Sequence, residues 1–153
     1  MPQRFESEEV ARLRIALTRI ARTMDREVEG GGLTRTQLWV LGTVARLGPL
    51  GLGELAELEH LNPTMLSRIV GKLSDAGLVR RVADPDDRRA ARVEVTDAGR
   101  DLHVRRRAER TKLLAGLLAQ VPASDAAALL DVLPALEALS VVRPQKASPV
   151  STS

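Results

Sequence analysis

The chain has 153 residues, 44% of them apolar and 28% charged, a globular balance that allows one domain with appendages. A net charge of +3 permits nucleic-acid binding without requiring it, and the absence of cysteine excludes disulfides, thiolate metal sites and thiol redox chemistry. With aromatic content at 1%, namely Phe5 and Trp39, recognition by stacking bases on an aromatic platform is excluded as well.

Residues 1 to about 6 read as a frayed start, and no signal-peptide core or membrane-length apolar run follows, so a soluble cytoplasmic protein is expected. From Ser7, the residues Val10, Leu13, Leu17, Ile20 and Met24 recur at three- and four-residue steps. Such a narrow stripe wants a partner helix. Gly30-Gly31-Gly32 forms a hinge, and Thr34 with Gln37 forms a capping box that opens a second helix through Leu38, Leu41, Val44 and Ala45. Gly48-Pro49 ends it. Leu50 to Leu52 suits a short strand and Glu54 to Glu59 a short third helix.

The most informative stretch is Asn62 to Thr96. Asn62 is a helix cap and Pro63 takes the first helical position, where no amide partner is needed. Leu66, Ile69, Val70 and Leu73 give this helix a buried face. Its other face carries Thr64, Met65, Ser67, Arg68 and Lys72, with no acid among them. After Gly77 come two β-prone runs, Leu78 to Val82 and Arg92 to Val95, joined by a loop holding Asp87, Arg88 and Arg89. A polar-faced helix followed by a hairpin with an arginine tip suits a helix in the major groove and a wing on the neighbouring backbone or minor groove.

Thr96 to Gly99 caps a fifth helix reaching about Gln120, with Leu102, Leu113, Leu114, Leu117 and Leu118 as its apolar surface. A sixth is expected from about Pro122 to Leu139, burying Leu129, Leu130, Leu133 and Leu136, with Pro134 kinking or breaking it. The tail from Arg143 to Ser153 has a disordered composition. The expected fold is mainly α with a small β-wing: a winged helix-turn-helix core flanked by N- and C-terminal dimerisation helices. The divisions are 1–32 for the first helix and hinge, 33–95 for the core, 96–142 for the C-terminal helices and 143–153 for the tail.

Several features carry bland readings. Arg105-Arg106-Arg107, with Arg100, Arg110 and Lys112, reads as a solvated helix face rather than a phosphate site. Trp39 suits a core or pocket wall, and is the candidate for ligand contact. Glu57, Glu59, His60 and His103 do not form a metal-ligand pattern, so no metal is expected. Gly71-Lys72-Leu73-Ser74 lacks the upstream glycine and paired Ser/Thr of a phosphate loop. No nucleophile with a base is legible, so neither an enzyme nor a cofactor is expected.

On these residues the chain resembles the MarR family of bacterial winged-helix regulators. The similarity rests on Asp87-Arg88-Arg89 followed by Val95-Thr96 in the wing, on Leu33 to Leu41, on Asn62 to Arg68, and on Leu73 to Val79. It extends from about Ser7 to Ser140. The resemblance implies that Arg89 enters the minor groove and that Asp87 orients wing arginines by ion pairing. It matches Arg68 to a major-groove or phosphate contact, and places Asn62, Pro63, Thr64 and Met65 at the end facing the bases. It further implies an effector site near the first, second and fifth helices, without fixing its residues. The partners expected are operator DNA, a second copy of the chain and a small-molecule effector, and the function that of a homodimeric repressor. An activator, or a winged-helix interaction module that does not read DNA, are the alternatives.

Overall fold

In the computed structural model the described residues are 7–27 and 32–142. The frayed start, most of the glycine hinge and the tail at 143–153 therefore lie outside them. The described elements run α1 (Ser7–Glu27), α2 (Arg35–Leu47), β1 (Leu50–Gly51), α3 (Leu52–Leu58), α4 (Pro63–Asp75), β2 (Val79–Ala83), β3 (Ala91–Val95), α5 (Asp97–Leu118), α6 (Ala123–Asp131) and α7 (Leu133–Ser140). The chain divides into two compact units, 1–114 and 115–153.

Helix starts follow local chemistry. The Thr34 hydroxyl accepts from the Gln37 amide and the Gln37 side chain accepts from the Thr34 amide, closing the capping box of α2. Asn62 Oδ1 accepts from the Met65 amide at 2.7 Å, and Pro63 follows it, so α4 begins where the composition placed it. The ends of α3 and α4 are alike. Each chain reversal uses a six-to-one backbone bond, Leu61 to Ala56 and Leu78 to Leu73, around a residue with positive φ. At α4 that residue is Gly77 (φ 72°), while at α3 it is His60 (φ 53°), a backbone role unrelated to metal binding.

The core of the first unit is made by four layers of side chains. Val40, Leu41 and Val44 of α2 meet Leu55 and Ala56 of α3, Leu66, Ile69, Val70 and Leu73 of α4, and the inward residues of the sheet. Complete burial of one such leucine or valine contributes roughly 1.5–3 kcal/mol. The sheet is antiparallel in the order β1-β3-β2, with Leu50 opposite Val93 and Val79 opposite Val95. The two-residue period of β3 turns Val93 and Val95 inward, and across the sheet Arg80 Nε donates to Glu94 at 2.7 Å.

The joint between wing and α5 is tight. Thr96 donates its hydroxyl to the Gly77 carbonyl at 2.6 Å, accepts from the Gly99 amide at 3.1 Å, and donates its amide to the Leu78 carbonyl at 3.1 Å. Gly99 is buried there, and a β-carbon on it would overlap the Leu78 carbonyl oxygen and stand 2.9 Å from Val95 Cγ2.

In the second unit the expected single sixth helix is two. A break at Val132 separates α6 from α7, and Pro134 lies in the first turn of α7, where its missing amide leaves no bond unmade. Leu129, Leu130 and Leu133, expected to be buried, are 46–57% exposed in the single chain. In the first unit the α1 stripe is similarly bare, with Val10, Leu13, Leu17 and Ile20 all exposed. Exposed apolar faces of this kind need a covering partner.

Gly99→Ala is expected to destabilise the fold by about 2 kcal/mol or more, because backbone and not a flexible side chain must yield. Urea unfolding followed by circular dichroism measures this; a midpoint equal to wild type would show that the joint has slack.

Candidate nucleic-acid interface and adjoining cleft

The side chains that the sequence set on the outer face of α4 are all exposed: Thr64, Met65, Ser67, Arg68 and Lys72. Pro63, Thr64, Ser67 and Arg68 line one shallow surface hollow at the start of the helix. The first turn holds no acidic residue, so nothing there opposes a phosphate or the positive end of the helix dipole. Asn62 is less available than its position suggests. Its carbonyl oxygen already caps Met65, which leaves the amide nitrogen as the group able to meet a base.

The wing is a tight reversal. Ala90 donates to the Asp87 carbonyl at 3.0 Å, placing Arg88 and Arg89 at the two central positions of a β-turn, where both are exposed. The Asp87 carboxylate accepts from the Arg89 backbone amide at 2.9 Å. The expected ion pair from Asp87 to a wing arginine is thus replaced by a backbone bond: Asp87 shapes the turn that carries Arg89, and leaves the guanidinium to solvent.

The ion pair of the wing lies at its root. Arg92 Nε donates to Asp84 Oδ2 at 2.8 Å, and Asp84 Oδ1 accepts from the Asp86 amide at 2.9 Å. That amide bond first, and then the Arg92 guanidinium, hold the Asp84 carboxyl below the usual carboxylate range. Arg92 is in turn raised, by its bond and its attraction to Asp84. Asp84 thus neutralises the arginine that packs at the base, while at the tip the guanidinium groups of Arg88 and Arg89 remain exposed beside the exposed Asp86 and Asp87.

A second region lies among the first, second and fifth helices, where the family resemblance implied an effector site without fixing its residues. A cleft of about 260 Å³ has apolar walls from Met24 of α1, Leu38 and Leu41 of α2, and Leu114 of α5. Its polar lining is His103, Arg106, Arg107, Arg110 and Thr111, all from α5. The arginine run therefore divides. Arg105 remains solvated, as expected, while Arg106 and Arg110 are half-buried against the cleft. The signal available in the sequence was the spacing of His103, Arg106, Arg107 and Arg110, which is that of one helix face.

A polar cleft of about 320 Å³ shares Leu38, His103 and Arg110 with it and adds Trp39, Thr43, Arg46 and Glu59. The buried Thr43 donates its hydroxyl to Glu59, and Arg46 Nη2 donates to Thr43 at 3.4 Å. Trp39 is 54% exposed, so it walls this cleft and takes no part in the core. His103 packs on Gly42, where a β-carbon would lie 3.2 Å from the ring. Half-buried cations beside apolar walls suit a small molecule with an acidic group and an apolar body. Among the described residues, no group of acids and histidines could hold a metal ion, and no helix is long and apolar enough to cross a membrane.

Comparisons with known proteins agree with this architecture. The MarR family profile matches residues 33–91, from the start of α2 to the wing. An uncharacterized HTH-type transcriptional regulator of Mycobacterium bovis is 31% identical over 113 residues, covering 74% of this chain and 79% of that protein. The HTH-type transcriptional repressor MdtR of Bacillus subtilis is 29% identical over 87 residues, 57% of this chain and 56% of its own length. A solved MarR family protein from Bacillus stearothermophilus superposes with a TM-score of 0.76 at 22% identity, covering 91% of this chain and all of that one, a likeness of fold.

The cleft histidine gives a pH dependence. Burial first, and then the charges of Arg46, Arg107 and Arg110, hold His103 below its ordinary value. Unfolding restores that value, about 6.5, so below it the unfolded chain binds more protons than the folded one. The stability from this group is whole above about pH 6.5 and is lost as the pH falls through and below that value. The thermal midpoint is expected to drop with acid over this range, and His103→Gln to flatten part of the drop. Parallel profiles for the two proteins would clear His103.

Proposed function

The chain belongs to the MarR family and is a DNA-binding transcriptional regulator, and we propose that it works as a homodimeric repressor of a pseudo-palindromic operator. The carrying observation is the wing: a turn held by Asp87 presents Arg88 and Arg89 to solvent, following a helix whose exposed first turns are free of acid. Each α4 enters the major groove of one half-site, with Thr64, Met65, Ser67 and Arg68 toward the bases and Lys72 toward phosphate. Each Arg89 enters the flanking minor groove, where narrow A·T-rich segments concentrate negative potential. Asn62 and Pro63 set the angle at which the helix meets the bases, and Arg88 adds a phosphate contact.

The bare apolar faces of α1 and of α6–α7 support a second copy as the partner, since two-fold symmetry places two reading heads on one side of the duplex. Repression is supported by the similarity to a protein named a repressor. A small effector with an acidic group and an apolar body occupies the cationic cleft. It shifts the dimer only by binding one separation of the recognition helices better than another.

Fluorescence anisotropy against the DNA upstream of the chain's own gene tests this reading. Saturable binding that survives non-specific competitor is expected; weak binding erased by modest salt would favour a module that does not read sequence. Arg89→Ala is expected to weaken operator binding by roughly ten- to a hundredfold while leaving the dimer whole. Affinity equal to wild type would take the wing out of the mechanism. Leu17→Glu, which puts a charge into the α1 stripe, should shift sedimentation from dimer to monomer, and a variant still dimeric at low concentration would move the interface elsewhere.

A further inference from the structure

Arg110 reaches the cleft with its charge only half answered. Its Nη2 lies 3.8 Å from Asp25 Oδ1, an attraction but not a hydrogen bond, and its buried Nε has no acceptor among the described residues. Asp25 is itself held from another side. Its Oδ2 forms an ion pair with Nε of Arg35 at 2.9 Å, and its side chain is 16% exposed. One carboxylate on α1 thus stands between a cation at the start of α2, which it grips, and a cation of α5, which it barely reaches.

A buried donor without an acceptor is unfavourable, so any carboxylate that can approach the Nε–Nη2 edge of Arg110 gains by doing so. Among the described residues Asp25 is the carboxylate already near that edge, and the acidic group of a cleft ligand would be a second once the guanidinium turns its edge toward it. The edge takes one carboxylate in bidentate fashion, and two like charges there repel. We propose that Asp25 is the cleft's built-in competitor, contending with an organic anion for Arg110 while Arg35 draws it aside. This rests on the cleft being the effector site.

The exchange has a structural consequence. Without ligand, Asp25 ties α1 to α2 through its close pair with Arg35 and draws weakly on Arg110 of α5 across 3.8 Å. With ligand, the link to α5 is lost and the link to α2 remains. Occupancy therefore changes what holds the helix that carries the bare apolar stripe, which is the kind of differential contact that coupling requires. Asp25 sets both how tightly an anion binds and how much of that binding reaches α1. It is a specificity residue as well, because a neutral molecule of the same shape cannot displace it.

Isothermal titration of the full chain with 2-naphthoate, and with neutral 2-naphthamide as its isostere, separates the outcomes. Wild type is expected to prefer the anion, and Arg110→Gln to weaken it roughly tenfold or more. Asp25→Asn should tighten naphthoate binding about tenfold, and Arg35→Gln, which leaves Asp25 wholly to Arg110, should weaken it several-fold. Neither change should move naphthamide. Opposite signs matter, since a loosened α1 would push both variants the same way, and that result overturns the proposal. If wild type prefers the anion and needs Arg110 but Asp25→Asn is unchanged or weaker, the competition is refuted and the cleft reading stands. If wild type does not prefer the anion, or Arg110→Gln is silent, the cleft reading itself falls and the proposal with it.

Discussion

The reading head and the cleft helix share one joint, where α5 begins against the Leu78 carbonyl with no room for a β-carbon at Gly99. Thr96 binds this joint from three directions, to Gly77 at the end of α4, to Leu78 before β2 and to Gly99 in α5. The exit of the recognition helix, the base of the wing and the start of the helix that lines the cleft are therefore one rigid corner. Dense packing transmits displacement and does not absorb it. Under the proposed function, a ligand that shifts α5 in the cleft would act on the same corner that joins α4 and the wing.

Charge is handled by placement more than by amount. At a net charge of +3 the chain has little surplus, so a positive reading surface depends on where the acids go. In the wing Asp84 pairs with Arg92 at the root and Asp87 bonds a backbone amide, so neither pairs with Arg88 or Arg89, while Asp86 stays 90% exposed beside the tip. In the cleft the logic is reversed. Arg106, Arg107 and Arg110 stand together beside His103, whose charged form burial and its cationic neighbours disfavour, and Asp25 supplies negative charge from another helix. The same residue types make the surface proposed to face DNA in one place and the hollow proposed to receive an anion in the other.

Much of the fold was legible because it is encoded over three or four residues. The Thr34–Gln37 box, the Asn62-Pro63 start and the break near Pro134 are local hydrogen-bond and steric matters, and each falls where the sequence placed it. The exposed side of α4 was legible for a related reason, since Leu66, Ile69, Val70 and Leu73 define the buried side by period alone. The cleft was not. Arg106 and Arg110 look like any charged helix face until α1 and α2 are set against them, and Trp39 suits a core or a pocket wall alike until its exposure is seen. Asp87 was expected to ion-pair with a wing arginine and instead accepts from the Arg89 amide, because an ion pair and a backbone bond two residues away ask for the same side chain.

By itself, the sequence determined the order of elements, the buried face of each core helix and the residues at the head of α4 and the tip of the wing. Those follow from period, caps and turn chemistry, which act within a few residues of each other. Only the tertiary structure decided which arginines of α5 face a cleft, that Asp25 stands between Arg35 and Arg110, and that Gly99 abuts Leu78. These pairings join residues far apart in the chain, and no local rule relates them. Their energies depend on distances and burial that exist only once the helices have packed.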